Sequence, residues 1–438
     1  MISSLRKKLC VALVLPVLAV VFAAGLTSPA SATPDHYNPT KGATFNNPYG
    51  GGVAAHRIVH KLVRTINSVR PDHKIRIASW NFRSHAIAHA LVEAHRRGVS
   101  VRVIMDYGNW NPDVPNAIAR RTHLALERGN KHRSADMTSW LRRCHGSCRG
   151  KHGIAHTKFY IFDKVQKTDD VVMYGSANAT ELAATIQWND IYTLTGNANE
   201  YAEFNGIFRQ MKHDHAVAQG YEHFQHGAIG LDFYPYTGTG TSKDPVLKVL
   251  NRVRCSGAGK GTGINGHTKI RIAQTATYGN RGLALASRLA QMRKRGCNIR
   301  LVYAMFGRQV LQILRGAHVP MTHLAYDADC NGIYDKYVHM KSMTISGHYG
   351  ANHRARFTWN GSANWTPVSL ASDEVVGTLK LAHVTRQYSN WIDYLFTHVP
   401  AAWRPSHCST IGVATDRSVL TRARTLHVDP YALIRQDL

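Results

Sequence analysis

The sequence predicts an α/β protein built from two pseudo-symmetric α/β lobes, each a mixed, mainly parallel sheet flanked by helices. The first observation is an exact internal repeat, because the strand-like run Lys74–Ala78 recurs as Lys269–Ala273. The second is that each copy continues into a helical pattern and then another buried-strand pattern. Such a unit needs a right-handed crossover between parallel strands. The length of 438 residues suits two lobes of this kind.

The elements of each repeat follow in the same order. Each helical pattern ends in basic residues followed by a glycine, which is the usual stop signal of a helix. Continuous apolar runs then predict buried strands. The helices are expected over residues 86–97 and 283–295, and the strands over residues 99–104 and 298–303.

The domain limits follow from the repeat and from the two ends of the chain. We expect a signal peptide over residues 1–32, a first lobe over 33–218, a connection over 219–248 and a second lobe with a tail over 249–438. The basic residues Arg6 to Lys8, the apolar stretch Leu9–Ala24 and the triplet Ala30–Ala32 are typical of a secretory signal. An uncleaved membrane anchor is the alternative, but the stretch is short for a bilayer span. The expected location is therefore secreted.

Six cysteines follow the predicted signal peptide. An even number in an exported protein favours disulfides. We expect the pairs Cys144–Cys148 and Cys255–Cys297, which leave Cys330 and Cys408 as the third pair. A zinc site is the rival interpretation, but a lone C-x3-C without a second matching pair is weak evidence for it.

The charge balance indicates an anionic partner. The chain has 54 Lys and Arg against 27 Asp and Glu, for a net charge of +27. Nucleic acid, an anionic membrane surface and a phosphate-bearing substrate are all compatible with this excess. Charge alone does not choose among them.

Two copies of a short motif carry the chemistry. His156 and Lys158 share one face of a predicted strand, because alternate residues of a strand point the same way. The segment Gly175–Asn178 follows, with Ser176 20 positions after His156. The second copy consists of His339 and Lys341, followed by Gly361–Asn364. One such motif would be incidental in a chain with 26 histidines, but two copies inside a repeated unit are a specific signal.

At these residues the sequence resembles the phospholipase D superfamily, whose members carry H-x-K-x4-D followed by G-S-x-N, usually twice. The resemblance implies a phosphodiesterase that uses no metal and no cofactor, with the two motifs meeting between the lobes. One histidine attacks phosphorus to form a phosphohistidine, and the other protonates the leaving alkoxide. By this resemblance His156 is the nucleophile and His339 the general acid and base.

The resemblance also implies roles for the remaining motif residues. Lys158 and Lys341 would neutralise phosphoryl oxygens, and Asp163 completes the first catalytic motif. The predicted phosphate-binding residues are Ser176, Asn178, Ser362 and Asn364. Asp190 and Glu374 would bind the far ring nitrogen of a histidine and set its tautomer. The scheme requires both imidazoles to face one shared pocket that solvent reaches.

One departure from the family pattern concerns the second motif. Ser346 stands where the pattern expects the aspartate. If that carboxylate supports the local structure, a serine could replace it by hydrogen bonding. If its charge is needed, the second lobe is impaired, and the chain would be a noncatalytic binder of anionic surfaces.

The leading functional hypothesis is a secreted, monomeric phospholipase D-type enzyme that cleaves or transfers phospholipid head groups, with peripheral contact to an anionic membrane. The alternative is a secreted metal-independent nuclease with the same site. The positive charge supports the nuclease through counterion release from nucleic acid, but anionic lipids attract cations as well.

Overall fold

The computed structural model describes residues 36–236, 243–326 and 334–400. Two large mixed sheets with helices on their faces dominate this part of the chain, which confirms the predicted fold class. In spatial order, sheet 1 comprises β1 (Gly42–Phe45), β10 (Asp190–Leu194), β7 (Thr168–Gly175), β6 (Lys158–Val165), β2 (Lys74–Ser79), β4 (Ser100–Asp106) and β5 (Trp140–Cys144). Sheet 2 comprises β11 (Glu222–His226), β12 (Ile229–Phe233), β21 (Val375–Leu379), β20 (Asn352–Gly361), β19 (Lys341–Tyr349), β14 (Lys269–Thr277), β15 (Asn298–Phe306) and β16 (Met321–His323), with β13 (Val253–Arg254) beside β19.

The remaining elements are helices and short strands. The short strands are β3 (Phe82–Arg83), β8 (Ala179–Thr180), β9 (Gln187–Trp188), β17 (Ala325–Tyr326) and β18 (Lys336–Val338). The helices are α1 (Gly51–Ala55), α2 (Arg57–Asn67), α3 (His85–Arg96), α4 (Ala117–Arg128), α5 (Leu182–Thr185), α6 (Ala198–Met211), α7 (Pro245–Asn251), α8 (Gly279–Lys294), α9 (Arg308–Gly316), α10 (Pro367–Ala371) and α11 (Ala382–Thr397). None of the helices described is both long and apolar enough to cross a membrane.

The two sheets repeat one strand order. The order β10-β7-β6-β2-β4-β5 in sheet 1 corresponds to β21-β20-β19-β14-β15-β16 in sheet 2. Within these two sheets, only β2, β4 and β5, and their counterparts β14, β15 and β16, pair in parallel. The prediction of mainly parallel sheets is therefore wrong in this detail. The physical reason is that β6–β7 and β19–β20 are hairpins, which pair antiparallel without a crossover.

Alternating side chains divide the core into layers. In β6, Phe159 and Ile161 face a central core that both sheets share, whereas Tyr160 and Phe162 face a separate core with α2 and α3. Helices α6 and α11 contribute to the central core, and α8 and α9 cover the other face of sheet 2. This layering brings corresponding strand ends of the two sheets together.

The structure locates several segments singled out by the sequence. Residues 219–248, predicted to connect two lobes, contain β11 and β12 at the edge of sheet 2 and the start of α7. The disulfides Cys144–Cys148 and Cys255–Cys297 are present, which confirms those two pairs. The predicted signal peptide and the residues Cys330 and Cys408 lie outside the described residues.

The close approach of the two sheets at Gly377 gives a testable prediction. A Cβ at Gly377 would lie 2.0 Å from the buried Tyr174 hydroxyl oxygen. We expect Gly377→Ala to lower the free energy of unfolding by about 2 kcal/mol or more, because neither strand can move aside. Adding Tyr174→Phe should recover part of this loss, since it removes the nearest atom and a hydroxyl without a partner.

Chemical denaturation measures both effects. The matched control is Gly206→Ala in α6, where nothing lies within 4 Å of the added Cβ and alanine favours the helix by about 1 kcal/mol. Wild-type stability of Gly377→Ala would contradict this packing of the sheets.

Candidate active site

The two His-x-Lys motifs occupy equivalent strand starts. Lys158 is the first residue of β6 and Lys341 the first residue of β19, with each histidine two positions earlier. The backbone N–H of His156 donates to Asp373 O at 3.1 Å, and that of His339 donates to Trp188 O at 2.9 Å. Each motif is thus bound to a segment of the other half. This reciprocal contact brings the two motifs to one site, and all four side chains interact electrostatically.

The rings are oriented through Nδ1. His156 Nδ1 lies 2.8 Å from Glu374 Oε1, and His339 Nδ1 lies 2.8 Å from Asn189 Oδ1. The Asn189 amide nitrogen donates to Ala183 O at 3.0 Å, which turns its oxygen toward the ring. Both Nδ1 atoms therefore face acceptors and carry the proton in the neutral ring. This tautomer leaves Nε2 of each ring unprotonated, and that of His156 has no hydrogen-bond partner in the described structure.

The structure corrects the prediction for Asp190. Its carboxylate accepts from Tyr388 Oη at 2.7 Å and from Asn360 Nδ2 at 3.1 Å, and neither histidine contacts it. The side chain that binds His339 belongs to the preceding residue, Asn189. The reason is strand register: Asn189 is the structural counterpart of Glu374, because each follows the residue whose carbonyl binds the other half's histidine. Glu374 occupies the orienting position that was predicted for it.

The two serines also differ from their predicted roles. Ser176 donates its hydroxyl hydrogen to Asn189 Oδ1 and accepts from Asp190 N. Ser362 donates to Glu374 Oε2 and accepts from Val375 N. Each hydroxyl has one hydrogen, which is already used. Ser176 and Ser362 therefore support the histidine partners and have no donor left for a phosphate oxygen.

The asparagines of the two Gly-Ser-Ala-Asn segments remain available. Asn178 and Asn364 are buried, yet Asn178 Oδ1 and both polar atoms of Asn364 have no hydrogen-bond partner in the described structure. Buried amides without partners are costly. Asn178 and Asn364 are consequently the amide groups best placed to bind a ligand, and their role in binding phosphate stays a prediction.

The two lysine side chains are buried. Nζ of Lys341 donates to His339 O at 2.6 Å, and Nζ of Lys158 donates to His156 O. Burial lowers the pKa of Lys158 to about 7, although Glu374 and Asp106 oppose the shift. Burial and the neighbouring Lys158 lower the pKa of Lys341 well below its ordinary value. A phosphate anion between them would favour the charged form of both.

The same causes shift the pKa values of the two histidines. The pKa of His156 and of His339 lies well below the ordinary value. Burial is the largest cause, and the two neighbouring lysine side chains add to it. Burial raises the pKa of Glu374 to about 7, and Lys158 opposes that shift. The lowered pKa therefore favours a neutral imidazole at His156, as a nucleophile requires.

Asp163 is not part of this site, which corrects its assignment to the catalytic set. It lies five residues along β6 from Lys158, roughly 16 Å away at strand spacing. Its Oδ1 accepts from Lys74 N at 2.7 Å and from Lys164 N at 2.8 Å. Ser346 occupies the same position in β19, opposite Lys269. The missing carboxylate in the second motif therefore leaves the site unchanged.

Besides Asn189, three residues near the site were not identified from the sequence. Asp106 accepts from Ala155 N at 3.0 Å, and Asp373 accepts from Cys148 N at 2.5 Å, so both hold the loop that precedes His156. The Trp80 ring lies 5.7 Å from that of His156. Asp373 lies in a repeated segment, but its counterpart there is Trp188 and not an aspartate. Asp106 ends β4 outside the repeated motifs, and Trp80 follows β2 without any pattern that distinguishes it from a core residue.

The expectation of solvent access to both rings is not met. His156 is 0% exposed and His339 is 3% exposed. A phosphodiester therefore reaches Nε2 of His156 only when the groups that cover it move.

Comparisons with known proteins agree with this doubled architecture. The family model "Cardiolipin synthase, PLD-like domain" matches residues 62–212. No curated protein matches the chain. The solved structure of phosphatidylserine synthase from Haemophilus influenzae Rd KW20 has a TM-score of 0.54 and 11% identity, over 93% of this chain and 99% of that one.

Two further solved structures are similar to smaller parts of this chain. Polyphosphate kinase from Porphyromonas gingivalis has a TM-score of 0.51 and 12% identity over 82% of this chain and 51% of that one, so the chain spans about half of that enzyme. Nuc from Salmonella typhimurium, a phospholipase D family member, has a TM-score of 0.29 and 22% identity over 41% of this chain and 100% of that one. The match to the PLD-like domain model over residues 62–212, on a fold whose strand order occurs twice, supports the resemblance to the phospholipase D superfamily.

Proposed function

We propose that the protein is a secreted phosphodiesterase that cleaves or transfers phospholipid head groups through a phosphohistidine intermediate. The observation that carries the proposal is the pair of buried imidazoles, each with Nδ1 bound to an acceptor, beside two ammonium groups. A bound phosphodiester anion favours the charged forms of Lys158 and Lys341. The amides of Asn178 and Asn364 bind its remaining oxygens.

The different partners of the two rings assign the roles. His156 faces the carboxylate of Glu374, which stabilises the positive charge that its ring gains when Nε2 bonds to phosphorus. His339 faces the neutral amide of Asn189, which gives its protonated ring no such stabilisation. Binding of the phosphodiester anion favours uptake of a proton from solvent at His339 Nε2, and that proton, which no carboxylate holds, passes to the leaving alkoxide. After departure of the alcohol, neutral His339 accepts a proton from water or from an acceptor alcohol, which attacks phosphorus and frees His156.

The proposal of a phospholipid substrate has two supports. The matched family model is named for cardiolipin synthase, and a solved structure similar over 93% of this chain is a phosphatidylserine synthase. A nuclease with the same site is the second candidate, which the net charge of +27 favours. Ser346, on which the noncatalytic alternative rests, pairs with Lys269 five residues along β19 from Lys341, which disfavours that alternative.

The first test compares substrates directly. Purified protein is incubated with chelator against vesicles of phosphatidylcholine, vesicles of cardiolipin, and plasmid DNA. We expect head-group release or transfer from at least one lipid, because the proposed mechanism uses two histidines and two lysines. Nicked plasmid with intact lipids would instead support the nuclease. Turnover of none of the three would remove the catalytic proposal.

The second test separates the two histidines with p-nitrophenyl phosphocholine, whose phenolate leaves without a proton. We expect His339→Ala to release about one nitrophenolate per enzyme and then to slow by about 10²–10⁴-fold, because the phosphohistidine forms but is not hydrolysed. His156→Ala should show no burst. Stopped-flow absorbance and mass measurement of the phosphorylated peptide check both statements. A burst in His156→Ala with phosphorus on His339 would reverse the assignment.

The third test uses pH. Deprotonation of Lys158, whose pKa is lowered to about 7, removes the cation for phosphate, so kcat/KM should fall as the pH rises above this value. Protonation of Glu374, whose pKa is raised to about 7, removes the charge that stabilises His156, so kcat/KM should also fall below it. We expect a bell-shaped profile.

Two variants check that protonation of Glu374 causes the fall of kcat/KM at low pH, which is the acid limb of the profile. Glu374→Gln should move that limb to lower pH and reduce the maximum, because no titrating carboxyl remains beside His156. Asp163→Ser, which copies Ser346 of the second half, is the matched control and should keep both limbs. Loss of the wild-type profile in Asp163→Ser would contradict its placement away from the site.

A further inference from the structure

The two halves differ beside their catalytic lysines. Because the strands share one register, Tyr160 in β6 corresponds to Met343 in β19, two residues after each lysine. The Tyr160 hydroxyl reaches across the strand end and donates to Ala177 O at 3.0 Å, and its ring is fully buried. The first half therefore fills the space next to its Gly-Ser-Ala-Asn segment. Methionine is too short to do so in the second half.

An apolar cavity of about 50 Å³ occupies this position in the second half. Lys341 and Ser342 line one part of it, and Ala363 belongs to the second Gly-Ser-Ala-Asn segment. The apolar walls come from both sheet strands and α7. They include Val246, Val249, Met343, Trp359, Trp365 and Val376.

A wider pocket of about 510 Å³ adjoins this cavity on the outside. The two spaces share Asp232, Pro245, Val249 and Trp359 as lining residues. Lys248, Arg252 and Lys380 contribute positive charge to the outer pocket. The two spaces therefore lie side by side, and Lys341 lines the inner one.

The wall formed by α7 is anchored to the site itself. Asp244 caps α7 by accepting from Val246 N at 2.8 Å, and it pairs with Arg281 at 2.6 Å. The Arg281 guanidinium also donates to Asn364 O at 2.8 Å. One buried cation therefore connects the cavity wall to the loop that carries the free amide of Asn364.

We infer that this cavity holds one acyl chain of the lipid whose phosphate contacts Lys341, with the chain continuing into the outer pocket. The inference rests on the proposed function and extends it to the recognition of the lipid tail. Apolar cavities of this kind stay dry and bind apolar groups. A nucleobase would have to bury its polar edges against valine, methionine and indole walls, which would cost free energy.

The binding test uses the tryptophans of the cavity as reporters. A short-chain phosphatidylcholine with brominated acyl chains, kept monomeric, should quench part of the protein's tryptophan fluorescence. The double variant Trp359→Phe/Trp365→Phe should lose that quenching, whereas Trp110→Phe in the first half should keep it. The measurement needs no turnover. Absence of quenching, or quenching unaffected by the double variant, would overturn the inference whether or not the enzyme cleaves lipid.

The kinetic test fills the cavity with the residue used by the first half. Met343→Tyr should lower the ratio of kcat/KM for a long-chain phosphatidylcholine to kcat/KM for p-nitrophenyl phosphocholine by about tenfold, because about two methylenes lose their burial. The effect should appear in KM for the long-chain lipid. Val249→Phe, on the half-exposed side of α7, should act in the same direction and is the second variant if Met343→Tyr does not fold.

The matched control is Met137→Tyr, a partly exposed position in the first half. It should leave the ratio unchanged. Equal ratios in the wild type and both cavity variants would overturn the inference while leaving the proposed function intact. Failure of the wild type to cleave any lipid would instead remove the proposed function, and the quenching result would then decide the cavity by itself.

Discussion

Each histidine of the site is held by the half of the protein to which it does not belong. The backbone of His156 is bound by Asp373 and its ring by Glu374, while the backbone of His339 is bound by Trp188 and its ring by Asn189. These four hydrogen bonds set the orientation of both rings. The site therefore depends on the packing of the two sheets through their central core.

This packing also buries several ionisable side chains close to one another. Lys158 and Lys341 lie among the carboxyl groups of Glu374, Asp106 and Asp373, and burial shifts the pKa of every one of these groups toward its neutral form. Such a set is poorly solvated without a ligand, since a buried charge is stable only when paired. A bound phosphodiester anion would favour the charged forms of both lysines. The geometry and the electrostatics thus favour the same class of ligand.

The sequence predicted much of this arrangement because duplication makes short motifs specific. The repeat of Lys74–Ala78, the two His-x-Lys pairs and the amides of Asn178 and Asn364 all lie where the repeat implies. The errors came from information that residue types do not carry. The predicted alignment of the segments before β10 and β21 was wrong by one residue, so Asp190 was given the position that Asn189 occupies. A shift of one residue along a strand reverses the direction of the side chain.

The roles of Asp163, Ser176 and Ser362 were wrong for a related reason. A motif records which residues occur together but not which atoms are already bonded. The hydroxyl hydrogens of both serines are used inside the protein, and Asp163 binds backbone N–H groups at the far end of its strand. Register and hydrogen-bond saturation become visible only once the strands are paired.

The unequal partners of the two histidines constrain how the protein could be divided. Its first half contributes a histidine and an amide, and its second half contributes a histidine and a carboxylate. A symmetric dimer of first halves would offer both rings amides, and a symmetric dimer of second halves would offer both rings carboxylates. Neither assembly reproduces one ring of each kind, so the divergence of Asn189 and Glu374 makes the two halves complementary parts and no longer interchangeable copies.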